Sequence, residues 1–91
     1  MTIRKRGNYG NVRYIRAPEK WRPMARKDGY VLEHRLIVAM HLGRMLTPTE
    51  VVHHINHNPM DNRLENLMLF ACNSDHKRFE WMGSPAPVWQ P

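Results

Sequence analysis

Apolar positions along this chain come in short runs whose period changes, and each change marks a different element. Asn11 to Ala17 (NVRYIRA) alternates apolar with basic residues, which predicts a half-exposed strand. Residues 1 to 8 before it read as a flexible arm, and Pro18 and Pro23 bound an irregular stretch. Asp28-Gly29 is a turn signal. From Val31 to Leu42 the pattern becomes helical, with Leu32, Leu36, Ala39 and Met40 on one face and His34, Val38 and His41 on the opposite one. Gly43 is the natural stop. A compact β-branched segment, Glu50 to Ile55, predicts a strand, and Leu67 to Phe70 predicts a second. Between them Asn56 to Arg63 is dense in turn formers, so the two strands form a hairpin with a long structured loop. Ser74 is placed to cap a helix from about Asp75 to Met82, with Phe79 and Met82 turned inward. The ending GSPAPVWQP holds three of the seven prolines and reads as an extended tail.

Ninety-one residues make a single small α+β domain, near the lower limit for one unaided hydrophobic core, so a bound metal would be useful. The expected division is a basic arm and strand over 1–27, a body over 28–83 and the tail over 84–91. One cysteine, Cys72, excludes an internal disulfide and a cysteine-rich zinc knuckle, and fits a reducing compartment. No stretch approaches the roughly 18 apolar residues of a membrane span, and MTIRKRGNYG lacks the apolar core of a signal peptide. The expectation is a cytoplasmic protein with no membrane partner.

Charge sharpens the picture. Residues 1–30 carry nine Lys and Arg against two acids, or +7, whereas the other 61 sum to −1. A basic segment on a nearly neutral body is the footprint of a phosphate-backbone binder, because each neutralised phosphate releases counterions. Arg4, Lys5, Arg6, Arg13 and Arg16 are the candidate DNA contacts in it, interleaved with Tyr9, Tyr14 and Trp21.

Phosphodiester hydrolysis needs a water deprotonated near neutral pH and compensation for charge developing at phosphorus, which a histidine base and a divalent ion can supply. His53 and His54 are consecutive in a predicted strand, so their side chains start towards opposite faces. One imidazole can therefore serve a metal while the other takes a proton from water. His76, on the first turn of the last helix, could close the ion site from the other side.

The segment GYVLEHRLIVAMHLGRMLTPTEVVHHINHNPMDNRLENLMLF, followed by SDH, resembles the HNH endonuclease family, in particular its small phage-type members. The matching pieces run from about Gly29 to His76. The resemblance implies a ββα-metal fold, a β-hairpin followed by a helix around one metal, here with a preceding helix and the basic N-terminal strand. It implies that His53 and His76 bind the metal, that His54 is the general base, and that Asn66 braces the loop and orients that base. With two neutral imidazoles the ion stays open to water and phosphate. Asn56-His57 stands where the family commonly has Asp-Gly, so His57 is a further group that could meet DNA or the ion. Asp75 is the alternative ligand to His76, and Asn62 and His34 are additional candidates. Arg35 and Arg63 are candidate phosphate contacts.

The activity so implied is metal-dependent endonucleolytic hydrolysis of DNA, nicking or cutting both strands. Mg²⁺ or Mn²⁺ is the expected ion, with Ni²⁺, Co²⁺ or Zn²⁺ also compatible with imidazole. A phage or prophage origin in a bacterial host, and a monomer or weak homodimer, complete the expectation. Two other classes fit the same residues: a DNA-binding module that keeps the fold without chemistry, and a small zinc-stabilised structural protein.

Overall fold

The structure, a computed structural model, describes residues 3–6 and 10–91, with side chains from Val12 onward. Five strands and two helices follow in the order β1 (Ile3–Arg6), β2 (Gly10–Arg16), β3 (Tyr30–Leu32), α1 (Glu33–Leu42), β4 (Val51–His54), β5 (Leu67–Phe70) and α2 (Asn73–Met82). Short 3₁₀ turns occupy Glu19–Met24 and Leu64–Asn66.

The alternating segment at 11–17 is a strand, as its period required, and it is the centre of an antiparallel sheet in the order β1-β2-β3. Ile3 faces Arg13 and Arg6 faces Gly10 across one edge, while Tyr14 faces Leu32 across the other. Part of the arm expected to be flexible is thus β1, because the β2 edge offers unpaired backbone groups that IRKR can satisfy. Residues 1, 2 and 7 to 9, and the side chains of Arg4, Lys5 and Arg6, lie outside the described residues. The helix expected from Val31 starts two residues later. Its first two residues pair with Ile15 and Tyr14 as part of β3 instead.

Helix α1 packs against both the three-stranded sheet and the β4-β5 hairpin. That explains a departure from the sequence pattern. Leu36 and Ala39 on one face are buried, but so are His34 and Val38 on the other, because two layers flank the helix. Met40, expected in the core, is 52 % exposed. Gly43 ends α1 at φ 74°, a left-handed conformation that costs glycine little, with its N–H donating to the Ala39 carbonyl at 2.9 Å.

In the hairpin, Val51 faces Phe70, His53 faces Met68 and His54 faces Leu67. Every residue of β5 is buried. The tail contributes to that burial. It is not free: the Leu69 N–H donates to the Trp89 carbonyl at 2.9 Å, the Val88 N–H donates to the Leu69 carbonyl at 2.7 Å, and the Trp89 ring packs against the core. The prolines before it prevent helix or sheet over 84–87 without preventing one short bridge at the β5 edge.

Helix α2 lies on the hairpin, and Phe79 meets Phe70 with ring centroids 5.2 Å apart. It begins at Asn73, with Cys72 at the N-cap position and no side-chain cap, so Ser74 is inside the first turn and does not cap it. Met82, expected inward, is 61 % exposed. The helix meets the hairpin through His76, Phe79 and Glu80, and Met82 lies beyond these contacts. Among the described residues no helix is long and apolar enough to cross a membrane.

Candidate metal and nucleic-acid site

The two adjacent histidines of β4 reach different elements, as strand alternation demands. His53 turns towards α2 and His54 towards α1. Both nevertheless line one open cleft with Val52, His57, Pro59 and His76.

On the α2 side, His53 Nδ1 and His76 Nε2 share a hydrogen bond of 2.8 Å. Glu80, one turn after His76, brings its Oε2 to 3.7 Å from His76 Nε2 and 3.7 Å from His53 Nε2. His57 Nε2 stands 4.0 Å from the same oxygen. His57 gets there through a left-handed backbone, φ 64°, in the turn closed by its N–H to the His54 carbonyl at 2.9 Å. One ligand atom each from His53, His57 and Glu80 lie within 4.8 Å of one another. Bonds of about 2.0–2.2 Å to one ion bring its donor atoms to a few ångströms from each other, so these spacings fit a single divalent ion. Burial, then the neighbouring His76, holds the His53 imidazole below its ordinary pKa, which keeps a ring nitrogen available as a ligand.

On the α1 side, His54 Nε2 is 2.7 Å from Asn62 Oδ1, and the Asn62 amide donates to Glu33 Oε1 at 2.8 Å. The ring of His34 stands edge-on to that of His54, centroids 4.8 Å apart. His34 is only 8 % exposed and its Nδ1 has no hydrogen-bond partner among the described residues. Burial, the facing His54 and the adjacent Arg35 push its pKa down to about 3, so it is a neutral ring.

The loop between the strands is tied by side chains. Asn66 Oδ1 accepts the Asn56 N–H at 3.0 Å, and its amide donates to Asn56 Oδ1 at 3.0 Å and to the Asp61 carbonyl at 2.8 Å. It lies at the end of the 3₁₀ turn just before β5, buried beneath the loop, and its side-chain hydrogen bonds go to that loop and not to the ring of His54. The contact to His54 comes from Asn62. Arg63 forks onto both oxygens of Asp61 at 2.8 Å, and this guanidinium, with a further bond from Asn56, holds the Asp61 carboxyl well below the usual carboxylate range.

The remaining sequence candidates separate into groups. Arg35 donates to the Glu50 carbonyl and to that of Thr47 (2.9 Å), which fastens α1 to the start of β4. Asp75 turns to Arg78 at 3.5 Å rather than into the histidine cluster. Arg13 reaches Glu33 at 3.5 Å, and Arg16 is exposed on the same strand. Glu80 was not among the sequence candidates. Its signal was present as a His-x₃-Glu spacing, one helical turn, but it acquires meaning only when α2 is docked against His53 and His57.

A family model described as HNH endonuclease matches residues 31–76, half of the chain, and covers α1, the hairpin, its loop and His76. No curated protein and no solved structure matches the chain. On that match over half of its length, the chain belongs to the HNH endonuclease family.

Proposed function

We propose that this protein is a metal-dependent endonuclease that hydrolyses DNA phosphodiester bonds at the cleft between β4, the hairpin loop and α2. The observation carrying this reading is the gathering of His53, His57, His76 and Glu80 within 2.8–4.0 Å steps beside His54, which lines the same cleft from the other side of the strand. His53 and His76 hold a divalent ion, Mg²⁺ or Mn²⁺ in the working enzyme, with Glu80 and His57 completing its protein ligands. When bound, the ion supplies charge compensation for phosphate oxygens and for the departing oxygen.

His54 is the general base, taking the proton of a water in the cleft. Its fixed contacts to Asn62 and His34 hold the ring in one orientation, the condition for efficient proton transfer. Asn66 keeps the loop that carries His57 and Asn62 in register with the hairpin. The β1-β2 strands, with Arg4, Lys5, Arg6, Arg13 and Arg16, bind the DNA backbone, and Arg35 and Arg63 act by bracing the site more than by meeting phosphate. Backbone binding of this kind gives affinity without base readout and weakens steeply with salt.

The test is supercoiled plasmid incubated with Mn²⁺ or Mg²⁺, with and without chelator, at low and at physiological salt. Relaxed or linear product that disappears with chelator and falls as salt rises supports the reading. DNA bound but uncut under every ion points to a non-catalytic binding module, and a chain that binds no DNA and unfolds with chelator points to a structural metal protein.

A further inference from the structure

The chain of contacts behind His54 fixes more than the orientation of its ring. Glu33, the first residue of α1, carries a carboxylate that Arg13 approaches at 3.5 Å, and a carboxylate can only accept hydrogen bonds. The Asn62 atom that faces it at 2.8 Å is therefore the amide nitrogen, not the oxygen. This settles which way round the Asn62 side chain lies, since its amide has only two ends. Its oxygen then faces His54 Nε2 at 2.7 Å, and an amide oxygen can only accept. So the hydrogen must be on Nε2. A neutral imidazole has one N–H and one lone pair, and here the lone pair is left on Nδ1.

We propose that Glu33 and Asn62 are positioning residues that lock His54 in its Nε2–H tautomer, making Nδ1 the atom that accepts the proton of the attacking water. The inference rests on the nuclease reading for the word "attacking", but not for the tautomer itself. The logic is the familiar one of a histidine base held by an acceptor on its far nitrogen, with a neutral amide interposed between ring and carboxylate. An imposed tautomer matters because a ring free to exchange would spend part of its time with a hydrogen on the nitrogen that must be bare. Asn66, by contrast, hydrogen-bonds through its side chain to the loop that carries Asn62 and not to the ring itself, so it supports the acceptor at one remove.

The elements involved make the relay specific to this fold. Glu33 is fixed at the N-terminus of α1, Asn62 sits in the hairpin loop, and His54 ends β4, so three separate segments have to dock for the acceptor to be in place. His34, the next residue along α1, covers the ring of His54 from the side and limits its rotation.

The experiment is a long-range ¹H–¹⁵N correlation spectrum of the metal-free full chain at mildly alkaline pH, with the His54 ring signals assigned by their loss in His54→Gln. The expected spectrum shows one tautomer, hydrogen on Nε2. Asn62→Ala and Glu33→Gln should both give a mixed tautomer pattern at His54 while thermal melts stay within a few degrees of wild type. In plasmid cleavage, Asn62→Ala should lower kcat about 10- to 100-fold with KM little changed, and Asn62→Asp combined with Glu33→Gln, which keeps an acceptor at the same place and gives the new carboxylate an amide to face, should recover most of it. A wild-type His54 with its hydrogen on Nδ1 overturns the proposal, as does an unchanged tautomer in both variants. If the wild type cuts nothing yet shows the Nε2–H form that Asn62→Ala abolishes, the relay stands and the nuclease reading falls.

Discussion

Acidifying the metal-free protein from about pH 6.5 to about pH 4.5 should remove roughly 2–3 kcal/mol of stability through His34 alone. The ring is buried, faces His54 and Arg35, and has its pKa pushed down to about 3 from an ordinary 6.5. Between those two values the unfolded chain binds a proton at this residue and the native chain does not. Stability therefore falls as pH falls, by about 1.4 kcal/mol per pH unit, and two units give nearly 3 before a small discount for the 8 % that remains exposed. Against a total of about 5–14 kcal/mol for a chain of this length the loss is large.

Carboxylates enter only at the foot of this pH range. Glu50, held low by Arg44 and the Thr47 N–H, and Asp61, held low by Arg63, stabilise the fold above their unfolded pKa values of 4.5 and 3.8 and lose that stability as pH falls through and below them. His53, lowered by burial and by His76, contributes in the same direction as His34 and is common to wild type and variant. Urea unfolding of wild type and His34→Leu, followed by tryptophan fluorescence in chelator at four or five pH values, separates them. The variant should lose about one proton's worth of slope and be no less stable at neutral pH, because it also removes an unpartnered buried nitrogen. Parallel stability curves for the two proteins would refute the reasoning.

Three further outcomes follow from the packing and the site. Trp89→Ala should cost about 2 kcal/mol in urea unfolding, since its ring leaves the core and the backbone bridge to Leu69 loses its anchor; a change below about 0.5 kcal/mol would mean the tail adds nothing to the fold. Asn66→Ala should cost about 1–3 kcal/mol, measured the same way, because it strips the partner from the Asn56 N–H and the Asp61 carbonyl beneath the loop. Glu80→Ala should weaken Mn²⁺ binding in calorimetry about 10- to 100-fold while His41→Ala, on α1 beside Trp89, leaves it unchanged.

The features legible in the sequence were those set by neighbours in the chain. The period-2 alternation at 11–17, the β-branched run before His53, the turn formers of 56–63 and the glycine stop at 43 each act within a few residues, and each element formed. What period cannot carry is the number of layers around an element. Helix α1 reads as one apolar face and one polar face, yet His34 and Val38 are buried because a second sheet covers them, and Met40 on the apolar face is exposed. The tail was illegible for a related reason: its prolines exclude regular structure but say nothing about whether Trp89 docks. At the site, the histidines announced themselves by type and spacing. Glu80 and the link from Glu33 through Asn62 to His54 did not, because they join residues 4, 8, 23 and 29 positions apart only after α1, the loop and α2 have packed.

The central claim is that His54 works as a base beside an ion-binding cluster formed by His53, His57, His76 and Glu80. Its most direct test is the single-turnover rate of supercoiled plasmid cleavage in Mn²⁺ for wild type and for His54→Ala, at enzyme concentrations that saturate the DNA. His54→Ala should cut about 10²–10⁴-fold more slowly with DNA binding and fold intact. Equal rates for the two proteins would contradict it.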